Sequence, residues 1–403
     1  MDQMILTERP RRTALRAAWL FDGTAAILKA DPVVLLDGPK IASVTFGSVA
    51  ADAAAAGLDV VVDLGDVTLL PGLVDTHVHL GFDASPDPVR RLQDSSDAEV
   101  LVSMREAGQT ALAGGVTTVR DLGDRGYLSL GLRGDEAMPT IVAAGPPITT
   151  AAGHCHFLGG VAAPGVKGIR AAVRQHAHQG VDVIKIMATG GQLTPGSHQH
   201  LAQFTAEELA AAVEEAHRLG LPITAHAHAT AGIENAVAAG VDGLEHASFW
   251  SEDGVDNPGD LIELMAAKRI VVGATVGLVP FPGAMPPPEI LKRAPAIIAN
   301  TRRMQQSGVR VVAGTDAGIA PIKPHDVLRY AIPQLMDLGM TPAEALTTVT
   351  SVAAEVCGLA AIKGHVAEGY DADILAVHGN PFTDPQTIHR IRAVYSRGRL
   401  VTG

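Results

Sequence analysis

The chain has 403 residues, 47% of them apolar, and its formal net charge is −12 at pH 7. That length supports a large core and fits a barrel of about 250 residues together with a smaller domain. The chain is acidic and has no stripe of lysines and arginines, so the sequence argues against a nucleic-acid-binding protein. The two cysteines, Cys155 and Cys357, cannot build a disulfide framework, so the composition favours a reducing compartment.

The N-terminal segment carries only a weak export pattern. Arg11 and Arg12 resemble the pair of a twin-arginine signal, but Arg16 interrupts the apolar run that follows and Asp22 ends it. A signal core needs a longer run, and a membrane-spanning helix needs about 20 apolar residues in a row. We therefore expect a cytoplasmic protein that has neither a nucleic-acid nor a membrane partner.

Eight short β-branched runs alternate with longer amphipathic segments over most of the chain. The runs cover residues 69–80, 115–123, 139–148, 181–191, 221–229, 240–248, 269–277 and 309–318. One intervening segment, 205–220, has helix signals at both ends: a capping box of Thr205 and Glu208, and Gly220 after the last turn. Strands alternating with helices predict an α/β fold with a parallel sheet. Eight such units predict a closed (β/α)8, TIM-like barrel.

The two ends of the chain have a different pattern. Residues 12–68 and 364–403 hold short alternating runs separated by turns, and neither part can bury a core alone. We expect the two ends to pair into one small β-sandwich, with 341–358 as the last helical segment before the chain returns to it. The predicted organisation comprises an N-terminal sandwich part (1–68), a catalytic barrel (69–361) and a C-terminal sandwich part (362–403).

Histidines stand where the predicted strands end. His77 and His79 follow the first run two residues apart, so in a strand both imidazoles point to one side and could bind one cation. Two hydrogen-bonded core histidines would give the same pattern. Three later runs end in further metal-ligand side chains, namely His226, His246 and Asp316. Because strand ends meet at one mouth of a barrel, the whole set indicates a metal site rather than core packing.

Lys185 is the sharpest anomaly in the sequence, because it lies within the apolar run "VDVIKIMATGG". Snorkelling of its ammonium group to water, or a salt bridge with Asp182, would each explain it. Close to two divalent cations, however, an ammonium group would be repelled. A lysine carbamate formed with CO2 would instead be an anion, with two oxygens that can bridge two metals.

These residues and the motifs around them resemble the amidohydrolase superfamily. The order of an HxH pair, a lysine, two histidines and an aspartate is typical of its branch with two metals and a carboxylated lysine. "PGLVDTHVHL", "VIKIMATGG" and "AGTDAG" look like the members of that branch that include prolidase-like Xaa-amino-acid carboxypeptidases, ochratoxinase, phenylurea hydrolase and molinate hydrolase. The resemblance extends from "DGTAAILKADPVVLLDG" to "EGYDADILAVHGNP" and so covers most of the chain.

The resemblance implies a role for each of these positions. His77, His79 and Asp316 would bind the first metal, His226 and His246 the second, and an N6-carboxylysine at Lys185 would bridge them. The expected metals are two Zn²⁺ or other divalent cations with a hydroxide between them, which activates the water and polarises the scissile carbonyl. Asp316 would take the nucleophile's proton and pass it to the leaving amine.

The segment "TTAAGHCHFLGG" resembles a loop that follows the third strand in these relatives. The likeness implies that His154 polarises the substrate carbonyl. The match is imperfect, because Ala152 replaces a glycine of the commoner pattern and His156 follows Cys155. The role of His156 therefore stays open between a substrate contact and none.

Three other side chains are candidate substrate contacts. His228 lies two residues beyond His226 on the same strand face, so by pattern alone it could be the metal ligand instead. Trp250 follows His246 and suggests an apolar pocket, with ordinary loop packing as the alternative. His325 lies just past Asp316 and would contact substrate or cap the next helix.

The resulting functional expectation is a binuclear zinc hydrolase of amide-type C–N bonds. Its small-molecule substrate would be an N-acyl amino acid, dipeptide, aryl amide or carbamate, and the resemblance implies a homo-oligomer. One alternative is a mononuclear deaminase or an imidazolone-type cyclic-amide hydrolase, although such enzymes generally lack the bridging lysine. A second alternative is a non-catalytic interaction protein built on the same barrel, although such relatives usually lose ligands.

Overall fold

The computed structural model describes residues 12–47, 60–280 and 286–403, so Arg11 of the N-terminal arginine pair lies outside the described residues. Among the helices of these ranges, none combines the length and the apolar character that crossing a membrane requires. The chain divides into two compact units, Met1–Leu73 with Pro342–Gly403 (the end unit) and Val74–Thr341 (the central unit). The segment from Pro342 thus groups with the chain ends, whereas the sequence pattern places residues up to 361 in the barrel.

The described residues form eighteen strands and ten α-helices. The strands are β1 (Arg12–Arg16), β2 (Trp19–Leu20), β3 (Lys29–Ala30), β4 (Pro32–Asp37), β5 (Lys40–Phe46), β6 (Val60–Asp63), β7 (Val67–Pro71), β8 (Leu73–Val78), β9 (Val116–Asp121), β10 (Thr140–Ala143), β11 (Ile184–Met187), β12 (Ile223–Ala229), β13 (Gly243–Trp250), β14 (Val271–Thr275), β15 (Arg310–Gly314), β16 (Ile374–His378), β17 (Ile391–Ser396) and β18 (Arg399–Thr402). The helices are α1 (Pro88–Asp94), α2 (Asp97–Ala113), α3 (Gly165–Gln179), α4 (Ala206–Arg218), α5 (Thr230–Ala239), α6 (Gly259–Ala267), α7 (Pro288–Gln306), α8 (Leu328–Asp337), α9 (Pro342–Thr347) and α10 (Ser351–Val356).

The end unit contains two mostly antiparallel sheets. One has the strand order β5-β4-β1-β6 and the other the order β18-β17-β16-β7-β2-β3, so strands from both ends of the chain share the second sheet. Buried apolar side chains from both sheets, including Leu15, Val34, Leu69 and Ile374, form one core cluster. The two chain ends therefore share a core, as the short length of each end requires.

The strands of the central unit pair in parallel. β8, β9 and β10 are neighbours in one sheet, and β11 to β15 follow one another in a second sheet. The pairs β9–β10 and β11–β12 through β14–β15 are parallel. Each of the strands β8 to β15 coincides with one of the eight predicted runs, and β13 extends beyond its run to Trp250. The predicted parallel α/β architecture is thus confirmed.

Helix α4 begins as its sequence predicts. The Thr205 hydroxyl accepts a hydrogen bond from the Glu208 backbone amide at 3.2 Å, and the Glu208 carboxylate accepts one from the Thr205 amide at 3.0 Å. Gly220 follows the helix with a φ of 74°, a conformation that glycine adopts without a steric cost. The capping box and the glycine stop are confirmed, and together they fix where the chain enters β12.

Candidate metal centre

Three side chains at the ends of β8 and β15 form what we call the aspartate cluster: His77, His79 and Asp316. Their candidate ligand atoms lie within 4.8 Å of one another. The Asp316 carboxylate is 3.5 Å from Nε2 of His77 and 3.2 Å from Nε2 of His79. Both histidines are buried and Asp316 is partly exposed, so the cluster combines two buried imidazoles with one carboxylate that water can reach.

Three histidines from β12 and β13 form a second group, the imidazole cluster: His226, His228 and His246. Their candidate ligand atoms also lie within 4.8 Å of one another. The His228 ring stacks on the His246 ring at 4.4 Å, and the His226 ring meets the His246 ring edge-on at 4.6 Å. The His77 and His246 rings are 5.4 Å apart, so the two clusters adjoin each other.

Unusual backbone conformations bring these side chains together. His246 has a φ of 71° and Asp316 a φ of 61°, the left-handed region that non-glycine residues seldom occupy. At His246 this conformation breaks the strand alternation, so that Glu245 and His246 both face His77. At the end of β15, a Cβ atom on Gly314 would lie 2.5 Å from the Cβ atom of His77, so glycine permits the close approach of these strands.

One ring nitrogen of each predicted histidine ligand lies close to another polar group, and the second nitrogen is available for a metal. Three of these contacts are hydrogen bonds, whereas that of His77 is a close approach without hydrogen-bond alignment. The contacts are His77 Nδ1 to Glu245 Oε2 at 2.9 Å, His79 Nδ1 to the Gly123 carbonyl at 3.0 Å, His226 Nε2 to the Gly190 carbonyl at 3.0 Å and His246 Nδ1 to Thr275 Oγ1 at 3.1 Å. Partners of this kind orient metal-binding imidazoles in proteins. The donor set therefore fits divalent metal ions such as Zn²⁺.

Lys185 lies on β11 and is 1% exposed, and its ammonium nitrogen has no hydrogen-bond partner among the described residues. Burial lowers the pKa of Lys185 to about 8, although Glu245 and Asp316 favour its charged form. Lys185 also acts electrostatically on all three residues of the imidazole cluster. The structure thus brings this lysine close to both clusters, as an amine that loses its proton readily.

Most protonation states in the two clusters suit metal binding. His79 is the exception, because the hydrogen bond and the charge of Asp316 outweigh its burial and raise the pKa of its imidazole. Burial, together with Lys185, lowers the pKa of His77 to about 4, and burial with neighbouring histidines lowers the pKa values of His226 and His246 well below their ordinary value. Burial opposes ionisation of Asp316, but His77 and His79 outweigh it and hold the pKa of its carboxyl far below its usual range. Neutral imidazoles and an ionised carboxylate are the forms that bind cations.

His154 faces the imidazole cluster from the loop after β10. Its ring is 4.7 Å from the His226 ring, and its Nδ1 has no hydrogen-bond partner in the described structure. The His154 amide donates to the side-chain oxygen of Gln203, and a Cβ atom on Gly191 would lie 2.3 Å from His154 Nε2. Burial is the main reason that the pKa of His154 falls to about 3, so this imidazole is neutral.

The four candidate substrate contacts lie in different surroundings. His228 belongs to the imidazole cluster and has its Nδ1 2.7 Å from the Ser248 hydroxyl. His156 is exposed beside a surface groove of about 490 Å³. Trp250 is buried with its ring 6.0 Å from His228, and the Arg293 guanidinium packs on it at 4.4 Å.

His325, the last of the four candidates, is buried beside the aspartate cluster and has Nε2 2.9 Å from the Phe82 carbonyl. This contact connects the loop after β15 to the loop after β8. It gives His325 a structural role, whereas the sequence predicted either a substrate contact or a helix cap.

Sequence reasoning overlooked three charged residues that support the site: Arg120 on β9, Glu245 on β13 and Lys323 in the loop after β15. Each is buried, and each contacts a residue of the clusters or its strand neighbour. Arg120 and Glu245 stand inside apolar runs, the same signal that drew attention to Lys185. Applying that signal to every predicted strand would have found both of them.

Comparison with known proteins identifies the family. The geometry above is that of a parallel α/β protein with paired sets of metal-type ligands at its strand ends. Residues 68–401 match the amidohydrolase family, and the chain belongs to it.

Among curated proteins, ochratoxinase from Aspergillus niger is 30% identical over 379 residues, which cover 83% of this chain and 76% of that enzyme. A crystal structure of a Xaa-Pro dipeptidase with methionine bound in its active site superposes with a TM-score of 0.84 at 27% identity, covering 97% of this chain and 100% of that one. The molinate hydrolase structure shares the fold with a TM-score of 0.82 at 19% identity, over 97% of this chain and 95% of that one. The resemblance seen in the sequence is confirmed.

Proposed function

We propose that this protein is a binuclear metal hydrolase of amide-type C–N bonds. The observation that carries the proposal is the buried Lys185, whose amine lacks a hydrogen-bond partner in the described structure and interacts with both ligand clusters. An amine with a lowered pKa can attack CO2 and lose a proton, giving a carbamate anion. That N6-carboxylysine supplies the two oxygens that a bridge between the aspartate cluster and the imidazole cluster needs.

The residues of this chain would hold two divalent cations, with Zn²⁺ as the expected metal. His77, His79 and Asp316 are the proposed ligands of one cation, His226 and His246 those of the other, with carboxylated Lys185 shared. When bound, the cations would polarise the scissile carbonyl and lower the pKa of the attacking water. Asp316, kept ionised by its histidine neighbours, is the proposed carrier of the proton to the leaving amine. His154 would donate a hydrogen bond to the carbonyl oxygen.

The same proposal includes a closed barrel in the central unit. Isolated parallel bridges connect Val78 with Ala317, and Ile148 with Ile186. These two contacts join the edges of the three-stranded and five-stranded sheets, which together hold eight strands. Closure would bring all strand ends to one mouth, where barrel enzymes have their active sites. The β-sandwich arrangement of the end unit and the domain limits 1–68, 69–361 and 362–403 stay predictions.

The proposed substrates are small molecules with an amide-type bond: N-acyl amino acids, dipeptides, aryl amides and carbamates. Membership of the amidohydrolase family and the likeness to an ochratoxinase and a Xaa-Pro dipeptidase support this class. A cytoplasmic location and a homo-oligomeric state belong to the proposal as well. His228 and Trp250, which lie on the imidazole-cluster side, are its candidate substrate contacts.

A hydrolysis screen tests the proposal. The protein is supplied with Zn²⁺ and bicarbonate, incubated with a panel of these substrates, and assayed for the released amine, while metal analysis gives the metal content per chain. We expect about two metals per chain and turnover of at least one panel member, with both reduced in Lys185→Ala. One metal per chain with full activity in Lys185→Ala would favour the mononuclear alternative. A metal-loaded protein that cleaves nothing in the panel would favour the interaction protein.

A further inference from the structure

A buried carboxylate, Glu245, lies directly behind the aspartate cluster. It sits on β13, is 1% exposed, and has its Oε2 2.9 Å from Nδ1 of His77. Nε2 of the same ring is 3.5 Å from the Asp316 carboxylate. The imidazole of His77 therefore stands between two carboxylates. Its Nδ1 and Glu245 Oε2 are within hydrogen-bonding distance but not aligned as a hydrogen bond, and neither atom has another hydrogen-bond partner in the described structure. Of the four predicted histidine ligands, His77 alone has a carboxylate behind it, whereas the others contact a carbonyl or a hydroxyl oxygen.

Other side chains keep Glu245 charged and oriented. Its Oε1 accepts from Arg120 Nη2 at 2.9 Å and from the Thr224 hydroxyl at 2.7 Å. Both of these partners use the same oxygen, so Oε2 is left to His77. Arg120 is itself fixed, because its Nε donates to the carbonyl of Thr76 at 2.6 Å. The guanidinium group supplies the positive charge that a buried carboxylate requires.

The neighbouring strand leaves space for this carboxylate. Gly273 on β14 pairs with Glu245 in register, and a Cβ atom at Gly273 would lie 2.2 Å from Glu245 Oε2. Any side chain there would push Oε2 away from His77. Three strands, β8, β9 and β12, thus contribute groups that converge on the carboxylate of β13, and a fourth neighbouring strand, β14, leaves the space for it.

We propose that Glu245 is a positioning residue that holds His77 in its Nδ1–H tautomer and strengthens Nε2 as a metal donor, so that the aspartate cluster retains its cation more tightly. This inference rests on the proposed metal centre. A carboxylate that accepts the Nδ1 proton leaves the lone pair of Nε2 free and raises the basicity of the ring. Losing such a partner typically weakens metal binding by about 10–100-fold.

The test measures the release of Zn²⁺ from the full-length protein into excess chelator. Wild-type protein should release its two cations in two phases, with the slower phase coming from the aspartate cluster. In Glu245→Gln, which keeps the side-chain size but removes the charge, we expect the slow phase to accelerate by about 10–100-fold and the fast phase to stay unchanged. Thr224→Val is the matched control, because it removes a contact to Oε1 and leaves Oε2 facing His77. Because Arg120 still donates to Oε1 and keeps the carboxylate charged, the slow phase should accelerate far less than in Glu245→Gln, and the fast phase should stay unchanged.

The outcomes separate this inference from the proposed function. Wild-type rates in Glu245→Gln, or equal acceleration of both phases, would overturn the positioning role and leave the metal centre intact. Wild-type protein that binds no Zn²⁺ would instead overturn the metal centre itself. If Glu245→Gln does not fold, nitrogen-15 NMR spectra of zinc-loaded wild-type protein show which nitrogen of the His77 ring carries the proton. His77 should be protonated on Nδ1, and protonation on Nε2 would refute the inference.

Discussion

The two halves of the candidate metal centre share their position at strand ends but differ in charge. The aspartate cluster contains the carboxylate of Asp316 and has a second carboxylate, Glu245, behind His77. The imidazole cluster contains three uncharged rings, and the partners of those rings are carbonyl or hydroxyl oxygens. Its members His228 and His246 are also partly exposed, whereas both histidines of the aspartate cluster are buried. Because a cation is held by opposite charge more strongly than by dipoles alone, the aspartate cluster should retain its metal longer.

The largest expected effect comes from Asp316, which belongs to the more acidic half. Asp316→Asn keeps the shape of the side chain but removes both its charge and its ability to carry a proton. We expect turnover to fall by about 10²–10⁴-fold, measured with the best substrate of the panel at saturating Zn²⁺. Asp83→Asn is the matched control, because Asp83 pairs with Arg91 outside both clusters. Full activity in Asp316→Asn, with normal circular dichroism, would remove Asp316 from the proposed chemistry.

A pair of histidine variants tests the difference in metal retention directly. His77→Ala and His246→Ala each remove one imidazole, the first from the aspartate cluster and the second from the imidazole cluster. We expect His77→Ala to lose the slow phase of zinc release and His246→Ala to lose the fast phase, as followed with a coloured chelator. If both variants lost both phases alike, the two clusters would have to be treated as one cooperative site.

Much of the central unit could be predicted from its sequence, because the signals there are local. β-Branched runs mark β8 to β15, and the Thr205–Glu208 capping box marks the start of α4. The helical segment 341–358 was also predicted, but it forms two helices, α9 and α10, which group with the end unit. That grouping depends on contacts between residues far apart in the chain, which no local pattern records.

The supporting residues of the site were harder to predict for the same reason. Glu245 and Arg120 are 125 positions apart, and they meet only because the strands bring them to the same level. The left-handed backbone at His246 also has no sequence signal, since simple alternation would put Glu245 and His246 on opposite faces. The histidines themselves were visible because each stands at the end of a recognisable run.

Lys323 contacts a neighbour of each half of the centre and so provides a test of how independent the two halves are. Its ammonium group donates to the carbonyl of Thr315, next to Asp316, and to the carbonyl of Thr275, whose hydroxyl contacts His246. Lys323→Met should lower the free energy of unfolding by about 3 kcal/mol, because two buried acceptors lose a charged donor. It should also accelerate both phases of zinc release.

Lys268→Met is the control for Lys323, because Lys268 also donates to a backbone carbonyl but lies away from the clusters. Chemical denaturation and the chelator assay should both leave that variant close to wild type. If Lys323→Met altered only one of the two phases, its hydrogen bond beside the other cluster would not contribute to metal retention there.

The smallest expected effects distinguish the members of the imidazole cluster from one another. Thr275→Val removes the hydroxyl that contacts His246, and Ser248→Ala removes the hydroxyl that contacts His228. Each loses one hydrogen bond worth about 1 kcal/mol, or roughly five-fold in the corresponding equilibrium. If His246 is a ligand and His228 faces the substrate, Thr275→Val should accelerate the fast phase of zinc release, whereas Ser248→Ala should raise KM without changing either phase. The opposite result would exchange the roles of the two histidines, because His228 lies close enough to His226 to complete the same site.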